Sequence, residues 1–169
     1  MEFSEVLSRR HCVRAYLDKP VEPVKLKRIL EAARGAPSAG NFQAYEIFVV
    51  RDGAKKGALV DASHGQRFIA EAPIVLVFCA SPERSKYYGE RGERLYSIQD
   101  ATIAASFAWL ATVAEGLGSV WVGAFDDDKV TSVIGVDGLR PCVILPIGYP
   151  VVRPKPTKRR AFNKLVHEV

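Results

Sequence analysis

Apolar residues near the start of the chain fall at helical spacing. Phe3, Val6 and Leu7, with Arg10 on the next turn, predict a short amphipathic helix ending near "RRHC". Two prolines in "DKPVEP" break the pattern, and Pro23 suits the first position of a second helix, whose apolar stripe is Leu26, Ile29, Leu30 and Ala33. Gly35 and Pro37 end it. The period then changes: "EIFVV" reads as a strand, and "APIVLVFCA", Ala72 to Ala80, as a fully buried one. Ala54 to Ala70, between them, reads as short helical or irregular chain. "SPERSKYYGERGERLYS" is charged and mobile-looking, and a long helix follows from about Ser97 to Glu115. "SVWVGAF" predicts a third strand and "CVILPIGY" a fourth. Between them "DDDKVTSVIGV" puts its acids where they suit a helix N-terminus. The ending "PVVRPKPTKRRAFNKLVHEV" reads as a Pro-rich extended arm with a last helical turn or two. Residues 1–149 form one domain and residues 150–169 an arm of that same domain. Strands and helices mixed around one long apolar helix predict a layered α+β or α/β architecture.

Composition narrows this picture. The chain has 169 residues, 48% hydrophobic and 25% charged, enough for one domain with a real core. Ala101 to Ala114, its longest uncharged stretch, falls short of the ~20 residues that a membrane span needs, so a buried helix is expected. "MEFSEVLSRR" carries Glu2 and Glu5 and lacks an apolar run, so no secretory signal is expected. Cys12, Cys79 and Cys142 are scattered without a CxxC, which suits a reducing cytoplasm and argues against disulfides or a zinc ribbon. His11, His64 and His167 have no ligand spacing, and no metal is expected. The net charge of +5 sits entirely in the arm. Arg153, Lys155, Lys158, Arg159, Arg160 and Lys164 oppose only Glu168, while the first 149 residues balance.

Several chemistries lack their motifs. "EGLGSVWVG" holds a GxG that joins helix to strand, the reverse of a dinucleotide fingerprint. There is no GxxxxGK[ST], no GxSxG and no spaced carboxylate pair. Three polar constellations remain: Arg9, Arg10, His11, Cys12 and Arg14; the stretch Pro37 to Gln43; and Lys158, Arg159 and Arg160. Guanidinium groups grip phosphate bidentately. Ala39 and Gly40 let backbone approach a flat ligand, and Ser38 and Asn41 can hydrogen-bond hydroxyls or ring heteroatoms. Together they suit a phosphorylated, planar, polyhydroxylated ligand. Taken singly, each has a plainer use: the arginines solvate a helix end, and Ser38 and Asn41 are ordinary turn residues.

These stretches resemble the nitroreductase family of FMN-dependent oxidoreductases, in order and over almost the whole chain. "SRRHCVRAYLDKPVEP" is similar to its Arg-x-Ser-x-Arg/Lys opening and "APSAGNFQAYEIFVV" to its Pro-Ser-x-x-Asn-x-Gln-Pro-Trp run. "IQDATIAASFAWLATVAEGLGSVWVGAF" resembles its central helix and Gly-Leu-Gly-x-x-Trp-x-Gly strand, and "PIGYP…KPTKRR" its closing strand and basic arm. The resemblance implies an α+β layered sandwich, a mixed and mainly antiparallel sheet flanked by helices, with the C-terminal arm exchanged in a homodimer. It implies FMN in the interface, NADH or NADPH as hydride donor, and ping-pong transfer through flavin N5 to a nitroaromatic, quinone or flavin-type acceptor. The flavin carries the chemistry, so no catalytic side chain is implied. The implied cofactor set is Arg10, His11, Cys12 and Arg14 from the opening pattern, with Arg159 and Lys158 on the phosphate. Pro37, Ser38, Ala39 and Asn41 would come from the partner subunit. Gln66 and Val122 join Gly123 and Ala124, whose backbone would lie beneath the ring with an N–H toward N5.

The chain departs from the family pattern at Cys12, usually serine, and at Ala44 and Tyr45, usually Pro-Trp. What covers the flavin face is reduced to about Ser81 to Tyr96, where Tyr87, Tyr88 and Tyr96 either wall the substrate space or only pack. The alternative is a non-enzymatic binding module whose basic tail contacts nucleic acid, disfavoured because no basic stripe accompanies aromatics on a strand face.

Overall fold

Every side chain of β2 (Ile74–Ala80) is buried, which puts this strand inside the sheet. It pairs antiparallel with β1 (Tyr45–Val50) on one side and β4 (Arg140–Gly148) on the other, and β4 pairs antiparallel with β3 (Gly118–Ser119). The structure, a computed structural model of the chain, describes residues 1–152, 154–155 and 157–169. Arg153 and Pro156, counted above in the arm's basic and extended run, lie outside the described residues. Strand order is β1-β2-β4-β3, and the one parallel contact among the described residues is an isolated bridge from Cys12 to Ser119. The expected mixed, mainly antiparallel α+β sandwich is what forms.

Side chains alternate across the sheet, so β2 feeds two cores. Ile74, Leu76 and Phe78 face α2 (Pro23–Arg34) and α6 (Ser97–Ala114). Val75, Val77 and Cys79 face the other side, with Leu59 of α3 (Gly53–Ala62) and Val130 of α7 (Asp127–Ile134). In α6, Ala101, Ala104, Ala105 and Ala108 are fully buried, and their small side chains allow the helix axis to lie close to the sheet. Asp52 and Asp126 cap α3 and α7 by accepting the N–H of Lys55 and Lys129. The irregular expectation for residues 54–70 resolves into α3 and the short α4 (Phe68–Glu71). In α1 (Phe3–Arg9) only Val6 is buried, and Phe3 and Leu7 keep their apolar stripe exposed in the single chain.

Two expectations fail locally. After Ser81 the stretch to Tyr96 is helical throughout, as a 3-10 segment Pro82–Tyr88, the turn α5 (Gly89–Arg91) and a π-turn Gly92–Tyr96 that runs into α6. Its charges pair at helical spacing, Lys86 with Glu83 and Arg94 with Glu90. The third strand, expected over "SVWVGAF", stops after Ser119. Ile144 and Val122 exchange both backbone hydrogen bonds at 3.0 Å, so Pro146, two residues on, faces the same neighbour and stands opposite Val120. Proline has no N–H to give there, and the ladder breaks.

Candidate active site

The turn after α1 carries the first basic run to the outer edge of β3. Arg10 closes α1 by donating its N–H to Val6 O, and Val13 N–H donates to Ser119 O at 3.0 Å. Residues 10–14 thus lie beside the middle of α6, where Arg10's guanidinium stacks 4.4 Å from the Trp109 ring centroid. The arm returns to the same place. A cavity of about 390 Å³ is lined by Arg10, His11, Cys12, Arg14, Trp109, Pro154, Lys155, Thr157 and Arg159. Arg9 is bound instead to Glu5 at 2.6 Å. Among the described residues, Arg10, Arg14, Lys155 and Arg159 have no carboxylate partner. Lys158 is exposed and does not line this cavity.

Pro37 to Gln43 does not line it either. This loop is built around Asp100, a residue 2% exposed in the first turn of α6 whose carboxylate accepts Ala39 N–H at 2.9 Å and Ala44 N–H at 3.2 Å. Ser38 Oγ accepts Gln43 N–H at 3.0 Å, and Gln43 Nε2 donates to Asn41 O at 2.9 Å. Asn41 and Gln43 have φ of +58° and +49°, a strained conformation that these hydrogen bonds hold. Ser38 therefore makes its own turn in the single chain, as the local reading allows. Asp100 and Trp109 are nine residues apart on α6, about 13 Å at 1.5 Å per residue, so loop and cavity stand apart within one protomer.

The third group follows the broken strand. Val122 is buried on its bridge to Ile144, whereas Gly123 and Ala124 are exposed, and their N–H groups have no backbone partner among the described residues. Gln66 Nε2 donates to Ala124 O at 3.1 Å and Ser63 O at 3.0 Å, tying this segment to the turn after α3. A Cβ on Gly123 would meet only Trp121, at 3.6 Å, and Trp121 lies 6.2 Å from Trp109. Open backbone and cationic cavity are thus linked through the two tryptophans. Cys12, expected to serve as a weak donor, bridges Ser119 and packs on the Val120 and Val122 core. Burial pushes Cys79 up to about 12, so that thiol is no nucleophile.

A phosphate-bearing ligand fits this arrangement on two observations of the chain itself. Four unpaired cations converge on one cavity, and the buried Trp109 Nε1–H in its wall has no acceptor among the described residues. The model of the Nitroreductase family matches residues 7–66 and 60–149. The chain belongs to the nitroreductase family. It is 35% identical over 187 residues to an NADH dehydrogenase of Thermus thermophilus, covering 94% of this chain and 91% of that protein. It is 33% identical over 135 residues to an FMN reductase (NAD(P)H) of Bacillus subtilis, covering 73% of this chain and 54% of that one. The solved structure of the hypothetical oxidoreductase YcnD from Bacillus subtilis superposes with a TM-score of 0.91 at 27% identity, over 99% of this chain and 74% of that chain. As a nitroreductase-family chain it carries the family fold in 169 residues.

Sequence reasoning passes over Asp100 and Trp109. Asp100 reads as the polar boundary of an apolar helix, Trp121 as core, and Trp109 has no local pattern that singles it out. The available signal is an acid facing inward in the first turn of an alanine-rich helix, where a charge must be paired.

Proposed function

We propose that this NAD(P)H-dependent oxidoreductase acts as a homodimer with FMN at its interface, in ping-pong order, on a nitroaromatic, quinone or flavin-type acceptor. FMN, when bound, supplies the hydride exchange at its N5. The carrying observation is the cavity itself, where basic side chains about 150 residues apart in sequence converge without carboxylate partners. Arg10, Arg14 and Arg159 hold the phosphate by charge-assisted hydrogen bonds, with His11 and Lys155 beside them. Gly123 and Ala124 offer free backbone N–H groups to the ring edge, and Gln66 keeps that segment in place. Pro37, Ser38, Ala39 and Asn41 reach the cofactor from the partner subunit, which accounts for their distance from the cavity within one chain. Unpaired thiols among the described residues suit a cytoplasmic setting, and no helix among them is long and apolar enough to cross a membrane.

The alternative non-enzymatic module falls with the family membership. Purified protein should be yellow, release FMN on denaturation and bleach on anaerobic addition of NADH or NADPH. A colourless protein that takes up no FMN overturns the proposal.

A further inference from the structure

The segment before α6 gathers aromatic rings that the core does not need. Tyr87 is 81% exposed, yet it meets Tyr88 edge to face at 5.2 Å, and Phe42 packs 5.8 Å from Tyr87 and 5.7 Å from Tyr88. Tyr96 continues the row, 5.3 Å from Tyr88. Tilted and edge-to-face pairs at these separations are what aromatic quadrupoles favour, so the rings hold one another while leaving apolar surface in water. The row is also fixed to the candidate cofactor loop. Gly40 has φ +55°, and a Cβ there would run into the Tyr88 hydroxyl and come within 3.2 Å of the Phe42 ring. Asp100 and Ser38 pin the backbone on both sides of Phe42.

Charge on this segment is unevenly satisfied. Arg84, Lys86 and Arg94 pair with Glu46, Glu83 and Glu90. Arg91 has no carboxylate partner among the described residues, nor has Glu93 a basic one. Arg91 instead lies 5.5 Å from the Tyr96 ring centroid and donates Nε–H to the Tyr96 hydroxyl at 3.1 Å, with no bond from its terminal N–H groups to another described residue. The aromatic row therefore ends in a fixed, unneutralised guanidinium.

We infer that Phe42, Tyr87, Tyr88 and Arg91 form a platform that selects planar aromatic acceptors bearing an anionic substituent, with Tyr87 as its specificity-determining residue. The inference rests on reading the neighbouring loop as part of the flavin site. An electron-poor ring such as a quinone or nitroarene stacks on the exposed Tyr87 face and displaces water from apolar surface. A sulfonate or carboxylate on that ring takes the free N–H pair of Arg91. A compact inorganic oxidant such as ferricyanide gains no stacking.

The test compares 1,4-naphthoquinone-2-sulfonate, 1,4-naphthoquinone and ferricyanide as acceptors for the NADH-reduced holoenzyme. Tyr87→Ala should raise KM for both naphthoquinones roughly fivefold to tenfold, with kcat much less affected and little change in KM for ferricyanide. Tyr87→Phe, which keeps the ring, should restore KM to within about twofold. Arg91→Gln should raise KM for the sulfonate about tenfold and for the neutral quinone far less. Calorimetric titration with naphthalene-2-sulfonate, which accepts no electrons, should show weaker binding in Tyr87→Ala and Arg91→Gln than in the wild type. That titration reads the platform even in a protein that transfers no electrons, so failure of the flavin reading stays distinguishable from failure of the platform. Unchanged naphthalene-2-sulfonate affinity and unchanged naphthoquinone KM in both variants overturn the inference.

Discussion

The carboxylate of Asp100 satisfies the N–H groups of Ala39 and Ala44 inside a site where water does not reach it. Asp100→Ala strands both donors, and each buried unpaired donor costs about 1–3 kcal/mol, so stability should fall by about 3 kcal/mol in urea unfolding. The same variant should bind FMN more weakly, because Pro37 to Asn41 loses its fixed shape; undiminished flavin content would detach the loop from the cofactor. Arg159 sits at the other end of the scale, an exposed arginine on the cavity rim. Arg159→Ala should weaken FMN binding by about 1.5 kcal/mol, the low end for a hydrogen bond to a charged group, and leave unfolding unchanged. Unaltered affinity in a titration of the flavin-free variant would remove it from the phosphate site. These two residues differ in how readable they were. Arg10, Arg14 and Arg159 announce themselves by type, because clustered guanidiniums suggest an anion wherever they occur. Asp100 and Trp109 gain their meaning only from what the fold places beside them.

Element boundaries divide in the same way. Leu26, Ile29 and Ala33 are legible in sequence because one helical stripe faces one core, and the uninterrupted run of β2 is legible because both of its faces are buried. The end of β3 is decided by Pro146, distant in sequence, and no local pattern in "SVWVGAF" carries that information. Residues 81–96 look mobile because they are charged, yet Glu83 with Lys86 and Glu90 with Arg94 already have helical spacing. One join between elements makes a pH-dependent prediction. Lys25 of α2 donates to Glu115 O at the end of α6, at 2.9 Å, and to the Tyr149 hydroxyl at 3.0 Å; Tyr149 in turn donates to Glu22 at 2.7 Å. The Tyr149 hydrogen bond is the leading cause that lowers Glu22 below its ordinary 4.5 and raises Lys25 above its ordinary 10.5. A lowered acid stabilises above its unfolded value, and the contribution is lost as pH falls through the folded one; a raised base loses its contribution as pH climbs past 10.5. Tyr149→Phe should therefore be less stable than the wild type at neutral pH, with the difference narrowing below pH 4.5 and above pH 10.5. A gap that stays constant across the acid limb would show that the hydroxyl does not act through Glu22.

At the scale of the molecule, charge and apolar surface are both left unfinished by a single chain. The body is neutral and the arm carries the net +5, and the arm ends in Phe162, Leu165 and Val166, which are 78%, 59% and 48% exposed. On the body, Phe3, Val6, Phe107 and Leu110 line an apolar hollow of about 290 Å³ between α1 and α6. Both leave apolar side chains in water, and contiguous exposed patches of this kind mark association sites. The arm supplies Lys155, Thr157 and Arg159 to the cavity, so in the proposed dimer the segment that would bind a second protomer would also hold the phosphate. A ligand held only by the assembled state stabilises that state by mass action. Ending the chain at Pro150 should then weaken the dimer and lose FMN together. Added FMN should recover dimer in the full-length protein at low concentration, but not in the truncated one. Sedimentation that follows flavin colour and protein in the same run checks both losses at once. A truncated protein that stays dimeric and fully yellow would reduce the arm to a solvated tail and leave Arg10 and Arg14 alone on the phosphate.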